Sequence, residues 1–163
     1  MVALDPRPPE QLAERLNRIV LEVMQVDQYF TCIFGDVDMV SGEVRMVQAG
    51  HPHPILITSA GAVRALGNGG LPVGLLPEAR YERIELRLRP GDRLLLASDG
   101  LTECQDAEGR ELGEEGLMGL VRTKAGLPAE RFLDALLWDV ERHAGGAEFG
   151  DDVSAVLYEF RGP

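Results

Sequence analysis

The sequence is short of cysteine, of clustered base and of long apolar runs, and each shortage closes off a class of protein. Two cysteines in 163 residues, Cys32 and Cys104, stand far apart with no CxxC spacing. Neither a disulfide framework nor a zinc site is expected, and both read as reduced thiols in or near a core. Lys and Arg number 16 against 27 Asp and Glu, for a net charge of -11. With no basic cluster to displace phosphate counterions, nucleic acid is not an expected partner. No apolar run approaches the ~20 residues that span a bilayer, and the opening MVALDPRPPEQ has no basic stretch followed by an apolar core. A cytoplasmic protein without membrane contact is the expectation. Internal repeats, low-complexity tracts and linkers are missing too.

What remains has a globular composition, 45 % hydrophobic and 26 % charged, in a length that suits one well-buried core, so residues 1–163 are expected to form a single domain. Pro8 and Pro9 introduce an amphipathic helix over Glu10 to Val26, with Leu12, Leu16, Ile19, Val20 and Val23 recurring at spacings of three and four. From Tyr29 the period changes. YFTCIFGDVD and EVRMVQAG flank the turn residues of MVSG and read as a hairpin, and PILITSA with AVRALG, around Gly61, reads as a second. In YERIELRLRPGDRLLLAS, Ile84, Leu86 and Leu88 alternate with charge, and Pro90-Gly91-Asp92 is expected to turn this strand into a more apolar sheet partner, Arg93 to Ala97. Helices follow over Glu114 to Lys124 and Pro128 to His143, the second ended by Gly145 and Gly146, and a strand over Val153 to Phe160 closes the chain. One helix, about six strands, two helices and a strand, without βαβ alternation, favour a layered α+β domain.

The residues that could carry chemistry are acids at strand ends. Asp99 follows the apolar run RLLLAS, and Asp151 and Asp152 precede the apolar run VSAVL. If those two strands pair antiparallel, the acidic ends coincide. Carboxylates that close repel unless one is protonated or a cation sits between them, and oxygen-only ligands suit a hard ion such as Mg²⁺ or Mn²⁺. Each motif alone is ordinary turn chemistry. In AGHPHP, His51 and His53 would share a face if extended, but no third ligand is evident, so a stiff Pro-spaced loop with His51 bonded to backbone is the expectation. Glu103 either supports the acidic site or is solvated. Asp36 and Asp38 read as turn residues of the first hairpin.

Taken in order, NRIV, YFTCIFGDVD…SGEV, VQAGHPHPILI, GGLPVGLL, LRPGDRLLLASDGLTE, GRELGEEGL and GDDVSAVL resemble the SpoIIE-type branch of the PPM, protein phosphatase 2C-like, metal-dependent Ser/Thr phosphatases, from about Pro9 to Leu157. The resemblance implies an α-β-β-α sandwich of two mainly antiparallel sheets flanked by helices, with a pair of Mn²⁺ or Mg²⁺ ions in the complete domain. It puts metal-ligand roles on Asp99, Asp151 and its neighbour Asp152, with Gly100, His51 and Glu103 in supporting places. It implies a phosphoprotein substrate in bacterial signalling, such as an anti-sigma-factor antagonist, attacked by metal-activated water without a covalent intermediate. The family's first metal motif, a GD…GHG ahead of PRPPEQLAERLN, has no counterpart in this sequence. The chain is therefore expected to match the C-terminal two-thirds of such a domain, N-terminally incomplete, inactive alone and self-associating as a homodimer. Two other readings stay open: a non-catalytic phosphatase-like interaction module, and a structural single-ion carboxylate site.

Overall fold

Helix α1, Pro9–Val23, forms because Pro at its first position needs no N–H partner and the apolar residues beyond it fall on one stripe. The computed structural model describes residues 7–23, 28–146 and 149–163, so the last turn expected for this helix, residues 24–26, lies outside the described residues. The strands are β1 (Cys32–Val37), β2 (Glu43–Ala49), β3 (Ile55–Ile57), β4 (Val63–Ala65), β5 (Arg83–Arg87), β6 (Arg93–Ala97) and β7 (Ala155–Glu159), with helices α2 (Gly113–Lys124) and α3 (Ala129–His143) between β6 and β7. The fold is α+β: three helices and two antiparallel sheets.

The chain divides into two compact units. The first holds α1 and a sheet of order β1-β2-β5. Its core is a helix-on-sheet contact, with Ala13 and Val20 of α1 buried beside Val47 and Ala49 of β2 and Val73, Ala79 and Tyr81 of the loop that leads into β5. Asn17, buried on the same helix face, fixes that loop: its Nδ2 donates to the Leu76 carbonyl (2.9 Å) and its Oδ1 accepts from the Gly74 N–H (2.7 Å). A buried amide is tolerated here because both of its ends are satisfied.

The second unit holds a sheet of order β4-β3-β6-β7 and both later helices. Ile55, Ile57 and Leu95 of the sheet bury against Leu117 and Val121 of α2 and Phe132 and Leu136 of α3. Two cations are buried with their partners. The Arg93 guanidinium reaches from β6 to the carbonyls of Ala125 and Leu127, where α2 ends and leaves acceptors unpaired, and it lies 5.4 Å from the Phe132 ring centroid. Lys124 pairs with Asp139, tying α2 to α3.

One expectation is overturned. β5 does not pair with β6: it joins the first sheet against β2, while β6 joins the second between β3 and β7. The turn itself is present, with the Asp92 N–H donating to the Arg89 carbonyl and the Asp92 carboxylate accepting from the backbone of Arg89 and Ser59. It carries the chain from one sheet to the other. Asp36 is also corrected: it lies within β1 and bonds Arg45 on β2 (2.9 Å), and only Asp38 organises the turn, accepting from Val40 and Ser41 N–H.

Candidate metal centre

β6 is a central strand that is almost wholly buried and apolar from Leu94 to Ala97, so an acid that faces the cleft stands past its end. The β6–β7 register sets Ala97 opposite Ala155. Ser98 continues the pairing. Its N–H donates to the Ser154 carbonyl (2.9 Å), and its hydroxyl accepts from the Ser154 N–H (2.9 Å) and donates to the Asp152 carbonyl (3.0 Å). A side chain thus replaces one rung of the ladder and holds residues 152–154 against the end of β6.

Asp99 opens a single 3₁₀ turn, Asp99–Leu101. Its carbonyl accepts from the N–H of Thr102 and Glu103 and from the Thr102 hydroxyl, and its carboxylate accepts from the Gly100 N–H (3.1 Å). Leu101, fully buried among Ala97, Cys104, Val140 and Ala144, anchors the turn. Gly100 has no room for a side chain: a Cβ there would stand 2.7 Å from the Asp152 carbonyl oxygen. On the facing strand, Asp151 accepts from the Asp152 N–H (2.7 Å). The strand ends expected to coincide do so, within backbone contact.

A cleft of ≈ 330 Å³ opens here, lined by Gly100, Glu103, Asp106, Glu111 and Asp151, with Gln105 and Gly150. The connection 104–112 that carries two of these acids is itself ordered by pairing of Gln105 with Glu111 and by the Leu112 N–H donating to the Cys104 carbonyl. At its tip the Arg110 N–H, the Arg110 side chain and the Glu108 N–H hold Asp106 below the usual carboxylate range. Of the sequence candidates, Gly100, Glu103 and Asp151 line the cleft, whereas Asp99 and Asp152 flank it through their backbones. Glu103 is exposed. Among the described residues no group of three or more His, Cys, Asp or Glu stands together as a metal cage. The donors that do converge are carboxylate and carbonyl oxygens, which fits a hard cation and not zinc or copper.

Ser98, Asp106 and Glu111 were missed by sequence reasoning. The signal for Ser98 was a hydroxyl between a core strand and Asp-Gly; the two acids sit in GRELG and its approach, inside a motif noted only as a whole. His51 lies in the first unit, its Nδ1 3.3 Å from the Thr31 hydroxyl while its carbonyl accepts from Gln48 Nε2. His53 makes a ring-to-backbone contact, its Nδ1 2.9 Å from the Leu66 carbonyl in the second unit. Burial raises the thiol pKa of Cys32 and of Cys104, and both are unpaired with each other.

The model of the family described as Stage II sporulation protein E (SpoIIE) matches residues 1–161. The chain belongs to the SpoIIE family. It is 25 % identical to Protein IcfG of Synechocystis over 138 residues, which is 85 % of this chain and 22 % of that protein. It is 28 % identical to the phosphoserine phosphatase RsbU of Bacillus subtilis over 102 residues, 62 % of this chain and 30 % of that one. This SpoIIE chain thus spans less than a third of the length of either curated relative. Its fold matches the SiaA-PP2C domain of Pseudomonas aeruginosa with a TM-score of 0.82 at 17 % identity, over 94 % of this chain and 61 % of that one. No helix of the described residues is long and apolar enough to cross a membrane.

Proposed function

We propose that the chain is part of a metal-dependent phosphoserine/phosphothreonine protein phosphatase of bacterial signalling, with the β6–β7 strand ends as its metal centre. The observation that carries this reading is the backbone contact between the Asp99-Gly100 turn and Asp151-Asp152, at the mouth of an acidic cleft, in a member of the SpoIIE family. The name of the relative RsbU, a phosphoserine phosphatase, supports it. Asp99, Asp151 and Asp152 would hold Mn²⁺ or Mg²⁺. When bound, such an ion supplies a water of lowered pKa and positive charge for a phosphoryl oxygen.

The chain's own groups prepare this. Ser98 fixes the spacing of the strand ends and Gly100 permits the close approach. Glu103, Asp106, Glu111 and Asp151 give the cleft a negative field, which repels a phosphate monoester until a cation offsets it. The substrate in this reading is a phosphoprotein, such as an anti-sigma-factor antagonist, and the protein works in the cytoplasm. The chain alone holds at most one cation weakly and does not hydrolyse the ester. In a form extended upstream, Asp99→Asn or Asp151→Asn lowers Mn²⁺-dependent hydrolysis of a phosphoserine peptide by orders of magnitude. Unchanged turnover in both variants removes the centre from this position. A non-catalytic phosphatase-like module is the second reading, favoured by the lack of a three-acid group among the described residues; an extended form that neither binds Mn²⁺ by calorimetry nor hydrolyses ester would establish it.

A further inference from the structure

We propose that the first unit carries a binding site for a phosphoryl group, in a cavity of ≈ 490 Å³ bounded by the loop 67–71, the segment 80–84 that enters β5, and Gln48 of β2. This does not rest on the phosphatase reading. Every residue of the cavity belongs to the first unit, whereas the acidic cleft is built from residues of the second.

The loop is held in shape before any ligand arrives. Gly69 and Gly70 take φ values of 91° and 97°, which side chains disfavour. Gly67 and Gly70 also press on β2, where a Cβ would collide with Gln48 Oε1 and with the Gln48 carbonyl. Gln48, 4 % exposed, locks this contact: its Oε1 accepts from the Gly69 N–H (2.9 Å) and its Nε2 donates to the His51 carbonyl (2.6 Å). The N–H groups of Asn68, Gly70 and Leu71 have no acceptor among the described residues. Neighbouring N–H groups on a fixed glycine loop are a ready concavity for an anion.

Positive charge comes from Arg80 and Arg83, each engaged in part. Arg80 Nη1 meets Glu14 of α1 (3.0 Å), while Arg83 meets Glu85 through Nε (3.0 Å) and Glu10 through Nη1 (3.6 Å). A planar carboxylate is gripped best by two parallel N–H groups of one guanidinium. Arg83, the less exposed of the two, has no such pair left. What the cavity offers is single donors from separate groups, two guanidiniums and the loop amides, and that spread suits the tetrahedral oxygens of a phosphoryl group. Glu82 lines the cavity too, its Oε2 accepting from Asn68 Nδ2 (3.1 Å). With Glu10 and Glu14 it weakens the field, which sets the affinity in the millimolar range. The space exceeds a phosphate ion several-fold, and Leu71 and Ile84 give it apolar surface, so a phosphate monoester fits it better than the free ion.

The test is an amide NMR titration of the whole chain with phenyl phosphate, inorganic phosphate and benzoate at fixed ionic strength. The expected result is saturable shifts at Asn68 to Leu71 with a Kd of about 1 mM for phenyl phosphate, and much weaker binding of benzoate. Arg83→Gln should weaken binding about tenfold. Glu14→Gln, which releases Arg80, should tighten it about two- to fivefold, a gain that mere loosening of the structure would not give. Should Arg83→Gln fail to fold, Arg80→Gln, at a side chain 80 % exposed, must still weaken binding. Inorganic phosphate binding as tightly as the ester supports the site and assigns the free ion as its ligand. Shifts no larger than chloride produces, benzoate binding as tightly as phenyl phosphate, or affinity unchanged in a folded arginine variant each overturns the proposal.

Discussion

The two units treat their awkward groups differently. In the second, polar groups are taken inside and given partners: Arg93 caps the end of α2, Lys124 pairs with Asp139, and Ser98 completes a strand ladder. The first also buries a satisfied polar group, Asn17, but it leaves more large apolar side chains outside, Phe34, Ile19, Met39 and Val40 among them, where the second leaves Trp138 and Val156. Buried polar groups with satisfied bonds specify one arrangement, whereas exposed apolar surface is open to a further partner. In the reading proposed above, the unit that places the carboxylates is the one with more of its polar groups tied down inside.

The sharpest way to break this contrast is to hollow the second core. Phe132→Ala, at a fully buried ring between the sheet and α2, should cost about 3–5 kcal/mol in urea denaturation. Next is the buried ion pair. Lys124→Met strands Asp139 with only the more exposed Arg142 beside it and should cost about 3 kcal/mol, most of it recovered when Asp139→Leu is added. If the single change were neutral, the pair would not be what specifies the α2–α3 contact. Gly100→Ala forces a methyl group against the Asp152 carbonyl and should cost about 1–3 kcal/mol; hydrogen exchange at Ser98 and Ser154 should accelerate while exchange in β2 stays as it was. The smallest effect is one of pH. The folded-state pKa of Asp106 is lowered, first by the Arg110 backbone N–H, so its contribution is present above the ordinary Asp value of about 3.9 and is lost as pH falls through the lower, folded one. Asp106→Asn should flatten the acid limb of the unfolding curve below that value and leave neutral pH almost unchanged.

The local parts of this architecture were legible because their causes are local. The first hairpin announces itself through alternation and the Asp38 turn, and α3 through its apolar stripe. The partnership of β5 was not legible. Pro90-Gly91-Asp92 says that the chain reverses but not which sheet it enters, and the turn chemistry is satisfied equally well by a corner between sheets. The difference in pattern held the clue: β5 alternates because one face is wet, whereas β6 is apolar from Leu94 on because it is central in another sheet. In the candidate site, the acids at strand tips could be found because an acid ending an apolar run is conspicuous. Asp106 and Glu111 could not, since what brings them to the cleft is the pairing of Gln105 with Glu111, a contact that no residue type advertises.

The pairing of β6 with β7 also sets an order in time. Asp99 and Asp151 lie about fifty residues apart, so at ~5–20 residues per second of synthesis the two sides of the cleft leave the ribosome about 3–10 s apart. Throughout that interval β6 has β3 on one side and nothing yet on the other, while α2 and α3 emerge and can already fold on local contacts. The two sides of the acidic cleft thus meet only when β7 arrives, and a nascent chain that has not reached β7 carries α2 and α3 but not yet the cleft.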